Sequence, residues 1–539
     1  MELQLFTNAL LYMVVSLGAG YLLRSVKDED GHPRLKWYVS GMIIGVVCAL
    51  ANAVLLETIF GGGFKLDQVL GTFMGGLGTG LLIGIPIGLI TGWDMSRRYF
   101  TFVDAWLLLF KIVIIYVVIG GTVSSLAVPK YSGEQWWDFV VFGFAQGGIY
   151  ALIALGYTLV YGILFMINFA HGEVFMSGAF TAFFVAQRMA QPGPEGELPF
   201  LETNPLMSLL IVFLVAMGTS TIIAVTLERV AYRPLRRAPR LVPLITAIGA
   251  SFFLQYTFRG FYGSGVEAYP PVPALRGDLL VSDLMLVVAL GLVFGLGALL
   301  LIPLYRYLKK TVGVLKNLSW APFIIVALVL IGVAYLLVPF LQGLFVSAVN
   351  GAFPPSPAAM EEFEVATRGE MPLPISRIQF VVIVSSVLLM LGLYYYVQFT
   401  KVGKAMRAVA EDKDVAALMG IDVDRVITMT FALGAILAGA AGVLYALIFR
   451  QVHFFMGFIP GLKAFTAAVL GGIGNIPGAM LGGLFLGVFE SVGPSLFLEG
   501  LGIPAAYQLK DVIAFTMLVL VLIFRPTGIM GVELSKKKA

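Results

Sequence analysis

Three segments of this 539-residue chain hold side chains whose types and spacing could do chemistry. In the first, Ile167-Asn168-Phe169-Ala170-His171-Gly172-Glu173, an amide, an imidazole and a carboxylate share a turn between two apolar runs. An imidazole and a carboxylate can exchange a proton. A lone histidine beside a glutamate is more often a hydrogen-bonded structural pair, so no catalytic residue is assigned. The second segment, 400–425, sets Met406, Val409, Ala410, Ala416, Ala417 and Met419 broadly on one side at helical spacing, with charges opposite. That spacing predicts a short amphipathic helix over 403–421 at a membrane surface, its end made smooth by Ala416, Ala417 and Gly420 so that another protein can pack closely. An ordinary interfacial helix has the same pattern. The third segment, Gly471-Gly472-Ile473-Gly474-Asn475-Ile476-Pro477-Gly478, forms turns and carries no charge.

The frame around them is a membrane one. Hydrophobic residues make up 59% of the chain and charged residues 12%, where a soluble protein carries about 25% charged. With a mean hydropathy of +0.94, the composition excludes soluble, collagen-like and disordered chains. Cys48 is the single cysteine, which excludes a disulfide framework or a cysteine zinc site within the chain. His32, His171 and His453 make no metal cluster, and no metal or cofactor is expected. A net charge of +4 is too small to suggest a nucleic-acid partner. The sequence contains no GxxxxGK[ST], so ATP energy would have to come from another subunit. Ionisable residues that could couple an ion gradient are few: Glu173, Arg259, Lys463, Glu490, and the pair Asp104 and Lys111. Most lie near predicted helix ends, where snorkelling or interfacial roles are expected.

Apolar runs of membrane-spanning length fall near 3–23, 38–60, 69–92, 104–127, 139–165, 172–188, 207–227, 241–262, 283–304, 320–342, 378–399, 426–448 and 510–525. The run 3–23 has the length of a full span and no basic region before it, so it reads as a first span rather than a cleaved signal. Basic residues gather in alternate loops, at 24–36, 97–98, 229–240, 306–316 and 401–425, which the positive-inside rule makes cytoplasmic. The loops at 189–206 and 343–377 are acidic and should face outward. The tail ends in Lys536, Lys537 and Lys538 and should be inside, so the chain starts outside and crosses an odd number of times. Parity then requires the stretch 460–495 to enter the membrane and return through the uncharged turn. The expectation is an all-α polytopic membrane protein with about 15 crossings, counting both arms of a glycine-rich hairpin, N-terminus outside and C-terminus cytoplasmic. Small-residue ladders, Gly76-Gly80-Gly84-Gly88, Gly434-Ala438-Gly442, Ala467-Gly471 and Gly478-Gly482 with Gly483-Gly487, mark faces where helices approach closely.

Five blocks carry a family resemblance: GGIYALIALGYTLVYG at 147–162, INFAHGE at 167–173, ERVAYRPLR at 228–236, AEDKDVAALMGI at 410–421 and KAFTAAVLGGIGNIPGAM at 463–480. Together and in this order they closely resemble the LivH-type permease of high-affinity branched-chain amino acid ABC importers, over 138–275 and 376–534. The resemblance implies an importer subunit of the cell (cytoplasmic or inner) membrane without an ATPase site of its own. Its implied partners are a second homologous permease, two cytoplasmic ATP-binding subunits and an extracytoplasmic solute-binding protein, with membrane lipid around them. It assigns the ATPase-docking loop to Arg407, Glu411, Asp412, Ala416, Ala417 and Gly420. Candidates for the translocation path are Asn168, His171, Glu173, Gly472, Gly474, Asn475 and Pro477, with static packing as the alternative. Four domains are expected: an N-terminal extension 1–137 with about four extra spans, a first core part 138–275, an insertion 276–375 with about two more, and a second core part 376–539. Permeases for urea, short amides or other amino acids share similar blocks. A self-contained channel or ion-coupled carrier, and a membrane scaffold or membrane-embedded enzyme, are the competing classes.

Overall fold

A computed structural model of the protein describes residues 12–20, 37–53, 69–95, 102–128, 130–193, 197–236, 238–239, 241–280, 372–525 and 527–531. The expected spans 283–304 and 320–342, most of the acidic loop after them, and the ends of the first span lie outside these residues. Besides helical residues 12–20 and the single turn Phe200–Thr203, the α-helices in chain order are α1 (Trp37–Ala51), α2 (Val69–Met95), α3 (Phe102–Ile115), α4 (Gly121–Ala127), α5 (Gly133–Leu164), α6 (His171–Met189), α7 (Pro205–Leu227), α8 (Leu241–Tyr262), α9 (Arg377–Phe399), α10 (Lys401–Glu411), α11 (Lys413–Leu418), α12 (Val423–Phe449), α13 (Phe458–Gly471), α14 (Ile476–Gly493) and α15 (Lys510–Phe524). Strands are short: β1 (Glu267–Ala268) pairs antiparallel with β4 (Gln451–Val452), and β2 (Asp278–Leu280) with β3 (Pro372–Ser376). Among the described residues eight helices are long and apolar enough to cross a membrane, and the protein is an all-helical polytopic membrane protein. Helix α6 is less apolar than these, and its residues from His171 to Phe180 are all buried.

The chain forms two compact units, one of 1–147, 466–473 and 481–539, the other of 148–465 and 474–480. In the first unit the glycines of α1 and α2 bring their backbones together. A Cβ on Gly45 would lie 2.7 Å from Ile85 Cα, and one on Gly84 would lie 3.2 Å from Cys48 Cβ. Ile44, Cys48, Ile83 and Ile87 pack beside these seams with Leu108 and Ile112 of α3. The same logic closes the hairpin arms, where a Cβ on Gly482 of α14 would strike the carbonyl of Ala467 in α13. In the second unit α6, α7 and α12 meet through small residues. A Cβ on Gly442 would lie 2.7 Å from the Phe175 carbonyl, one on Gly439 would lie 2.6 Å from the Ala216 carbonyl, and Ser220 donates to the Val174 carbonyl at 2.8 Å.

Two expectations change. The amphipathic segment 403–421 is two helices rather than one, because Asp412 is extended (φ −153°, ψ 117°) and turns its carboxylate back onto the amides of Asp414 and Val415. An aspartate satisfies the free amides of a helix start, so the chain restarts there instead of continuing. The snorkelling expected for Glu173, Lys463 and Glu490 gives way to burial, since all three are enclosed by protein. Gln146 donates to Glu490 at 2.9 Å, and the Lys463 ammonium lies 5.8 Å from the centre of the Tyr150 ring.

Candidate functional site

The segment 400–425, the expected docking loop, is built from a succession of caps. Thr400 accepts from the amide of Gly403 to open α10, Asp412 opens α11, and Asp422 accepts from the amide of Arg425 to open α12. Helix α11 closes where Gly420 N–H donates to the Ala417 carbonyl and Ile421 N–H to the Ala416 carbonyl, with Gly420 at φ +83°. This is the glycine-terminated Schellman turn, and it needs the left-handed conformation that glycine adopts freely. Met406, Val409 and Ala416 face inward, while Arg407 is tied to the carbonyl of Val397 and Glu411 and Asp412 are exposed. The outward ridge is not the alanine face read from the sequence. It consists of Val415, Leu418 and Met419, the last two 86% and 79% exposed, beside Ala417 and Gly420.

Beneath this segment lies an ionic knot. Asp424 at the start of α12 pairs with Arg233 and Arg236, and Arg236 also pairs with Glu228. Glu228 is wholly buried at the end of α7 and accepts a further bond from Thr428 at 2.9 Å. Burial pushes the Lys413 ammonium below its ordinary range, and the nearby Arg236 pushes it the same way.

The turn before α6 holds the second group. Asn168 Oδ1 accepts from the Tyr232 hydroxyl at 2.6 Å, and its carbonyl accepts from the amide of His171 at 3.1 Å. The His171 ring stands edge-on to Tyr157, with centroids 5.0 Å apart, and fills the space where Gly156 has no side chain. Its Nε2 is buried without a partner. Glu173 is 1% exposed; its Oε1 accepts from Gln255 at 2.6 Å and from Ser251 at 3.2 Å, and its Oε2 has no partner. His171 and Glu173 therefore do not form the mutual pair that their spacing suggests. The bare face of Gly172 lets α6 meet the loop and helix start at Gly457 and Gly461.

At the hairpin tip, Gly472 (φ +109°) and Gly474 (φ +92°) both need the left-handed region. Asn475 Oδ1 accepts from the amide of Gly478 at 3.1 Å and so caps α14, in whose first turn Pro477 sits where no amide is needed. The carbonyls freed at the end of α13 are taken by the tail: Ile529 N–H donates to Leu470 O at 2.8 Å and Met530 N–H to Gly471 O at 2.9 Å. Gly472 packs backbone to backbone with Gly528 and Gly531. A Cβ on Gly162 would lie 3.9 Å from Gly474 Cα; Gly162 is six residues along α5 from the Gly156 that abuts His171, a separation of about 9 Å along a helix.

Tyr232, Glu228, Arg233 and Arg236 enter the sequence reading only as members of the block 228–236 and its basic loop, Met419 only as part of the amphipathic face, and Asp424 and Leu418 carry no role of their own there. The available signal was Glu228, a lone acid adjoining an apolar run and followed by five arginines through Arg240.

Comparison with known proteins bears on these segments directly. The family model described as the permease component of branched-chain amino acid transport systems matches residues 139–312 and 279–522. The high-affinity branched-chain amino acid transport system permease protein BraD of Pseudomonas aeruginosa is 36% identical over 392 residues, 73% of this chain and 94% of its own. The corresponding LivH protein of Escherichia coli is 34% identical over 389 residues, 72% of this chain and 93% of its own. The fructose import permease protein FrcC of Rhizobium meliloti is 34% identical over only 20% of this chain and 32% of its own. No solved structure matches. The segment 400–425, the ionic knot, the buried turn and the hairpin all fall inside the matched residues, and the chain belongs to the family of permease components of branched-chain amino acid transport systems.

Proposed function

We propose that the chain is the membrane-spanning subunit of an ABC importer, carrying branched-chain amino acids inward with ATP hydrolysed by separate subunits. The observation that carries this reading is the ridge of Val415, Leu418 and Met419. It is an apolar surface held outward by caps and ion pairs on the face that the charge pattern makes cytoplasmic, where two ATP-binding subunits would seat. A second homologous permease would complete the pore, and an extracytoplasmic binding protein would deliver the solute.

The arrangement about 15 crossings deep, with its N-terminus outside and its C-terminus inside, draws support from which segments meet. Arg233 and Arg236 join Asp424, both sides cytoplasmic by charge, while β1 joins β4 and β2 joins β3 among outward segments. The hairpin tip bonds the tail that follows α15, as a turn reaching the inner side would. The extension 1–137 and the insertion 276–375 read as added scaffold flanking the core parts 138–275 and 376–539. Asn168, His171 and Glu173, with Gly472, Gly474, Asn475 and Pro477, border the route in this account. A water-soluble thiol reagent should then modify Asn475→Cys, in a Cys48→Ala background, at a rate that changes with nucleotide. A cysteine unreactive in every state would leave the tip as packing alone.

Substrate class is tested in vesicles holding the assembled transporter. Uptake of labelled leucine should be competed by isoleucine and valine and not by urea or acetamide. Competition by the amides and not by the amino acids would replace the substrate assignment.

A further inference from the structure

Inside the second unit a continuous series of polar contacts links the docking segment to the buried turn before α6. From Gly420 the chain passes in two residues to Asp422, the cap of α12, and in two more to Asp424. Asp424 holds Arg233 and Arg236, and Arg236 holds the buried Glu228. Residues Glu228–Tyr232 form one turn of π-helix at the end of α7. At the far end of that turn the Tyr232 hydroxyl donates to Asn168, while its ring lies 5.7 Å from that of Phe431 in α12. Asn168 in turn accepts the first amide of α6, the helix that carries His171 and Glu173.

Packing alone does not account for this series. A wholly buried carboxylate is costly even when paired, and its best-attested use is to fix one arrangement against another. A π turn is rare and recurs at functional sites. Where the series ends, Glu173 Oε2 and His171 Nε2 are enclosed with hydrogen-bonding capacity unused, which a second arrangement of the α6 start can take up.

We propose that Tyr232 is a positioning residue for transport, its hydrogen bond to Asn168 coupling displacement of the docking segment to the first turn of α6. The proposal rests on the permease reading above. Movement at α11 shifts the start of α12; the ion pairs carry the π turn with it; the hydroxyl repositions Asn168.

Tyr232→Phe keeps the ring against Phe431 and removes only the hydroxyl. The test uses vesicles with the complete transporter, binding protein and labelled leucine, and reads leucine moved per ATP hydrolysed. The variant should assemble at wild-type yield and keep its ATP hydrolysis in the absence of binding protein. Its leucine-to-ATP ratio should fall about fivefold to tenfold, the equivalent of one hydrogen bond. Asn168→Ala combined with Tyr232→Phe should lower the ratio no further than the worse single change, because both remove one linkage. An unchanged ratio in Tyr232→Phe, or losses that multiply in the double variant, would overturn the coupling. Wild-type vesicles without ATP-dependent uptake would instead overturn the permease reading and the coupling with it.

Discussion

Leu418→Asp is expected to strip the ATP-binding subunits from the purified permease while leaving the permease folded. Leu418 is 86% exposed at the end of α11, so the change touches no internal packing. A large apolar side chain at the centre of an interface contributes about 2 kcal/mol or more, roughly thirtyfold in affinity. A carboxylate placed there also has to be desolvated, which adds to the loss. The readout is the amount of ATPase recovered with a tagged permease, set against the permease's own melting temperature. Gly420→Trp would be the weaker probe: Gly420 sits at φ +83°, where any side chain strains the turn, so lost binding could come from a broken cap. Full ATPase recovery with Leu418→Asp would show that the ridge lies outside the interface.

The second large effect is structural. Gly172→Val should prevent the second unit from folding, because a Cβ at 172 would lie 2.5 Å from the Gly457 carbonyl and 3.2 Å from Gly461 Cα. Neither neighbour has a side chain to move aside, and overpacking of this kind costs about 1–3 kcal/mol even where relaxation is possible. Gly218 in α7 has nothing within 4 Å of the same position, so Gly218→Val serves as the tolerated control. Size-exclusion profiles in detergent should show aggregation for Gly172→Val and a single peak for Gly218→Val. A sharp, wild-type-like peak for Gly172→Val would contradict the close approach of α6 to the loop before α13.

The helices were legible because lipid demands long apolar runs. The run 241–262 coincides with α8, and 378–399 differs from α9 by one residue. The small-residue ladders were legible for a similar reason, since close helix contact leaves only glycine, alanine and serine at the seam. Gly84 against α1 and Gly442 against α6 bear this out. The break at Asp412 was not read because helical spacing continues across it: Val409 and Ala416 are both buried although the helix stops between them. Aspartate favours capping, but an unbroken apolar period gives no sign of where it interrupts the helix. His171 and Glu173 show a different limit. Their proximity in sequence suggests one pair, whereas Glu173 bonds Gln255 and Ser251 of α8 and the His171 ring packs against Gly156 and Tyr157 of α5, and nothing local encodes those neighbours. Tyr232 lies in the block 228–236, whose arginines mark sidedness and whose residues carry the resemblance, but neither signal encodes Asn168 as its partner.

The exposure pattern of segment 403–421 was only partly legible. Ala417 and Gly420 do lie at the outward end of α11, but Ala416 turns inward, and the exposed side chains there are the large apolar Val415, Leu418 and Met419.

The central claim, a permease driven by ATP hydrolysed elsewhere, is tested most directly by accumulation of labelled leucine in sealed vesicles. With the partner permease, the ATP-binding subunits and the loaded binding protein present, leucine should concentrate against its gradient only when ATP is supplied on the docking-segment side. Equilibration of leucine without ATP, or concentration driven by an ion gradient alone, would contradict the account.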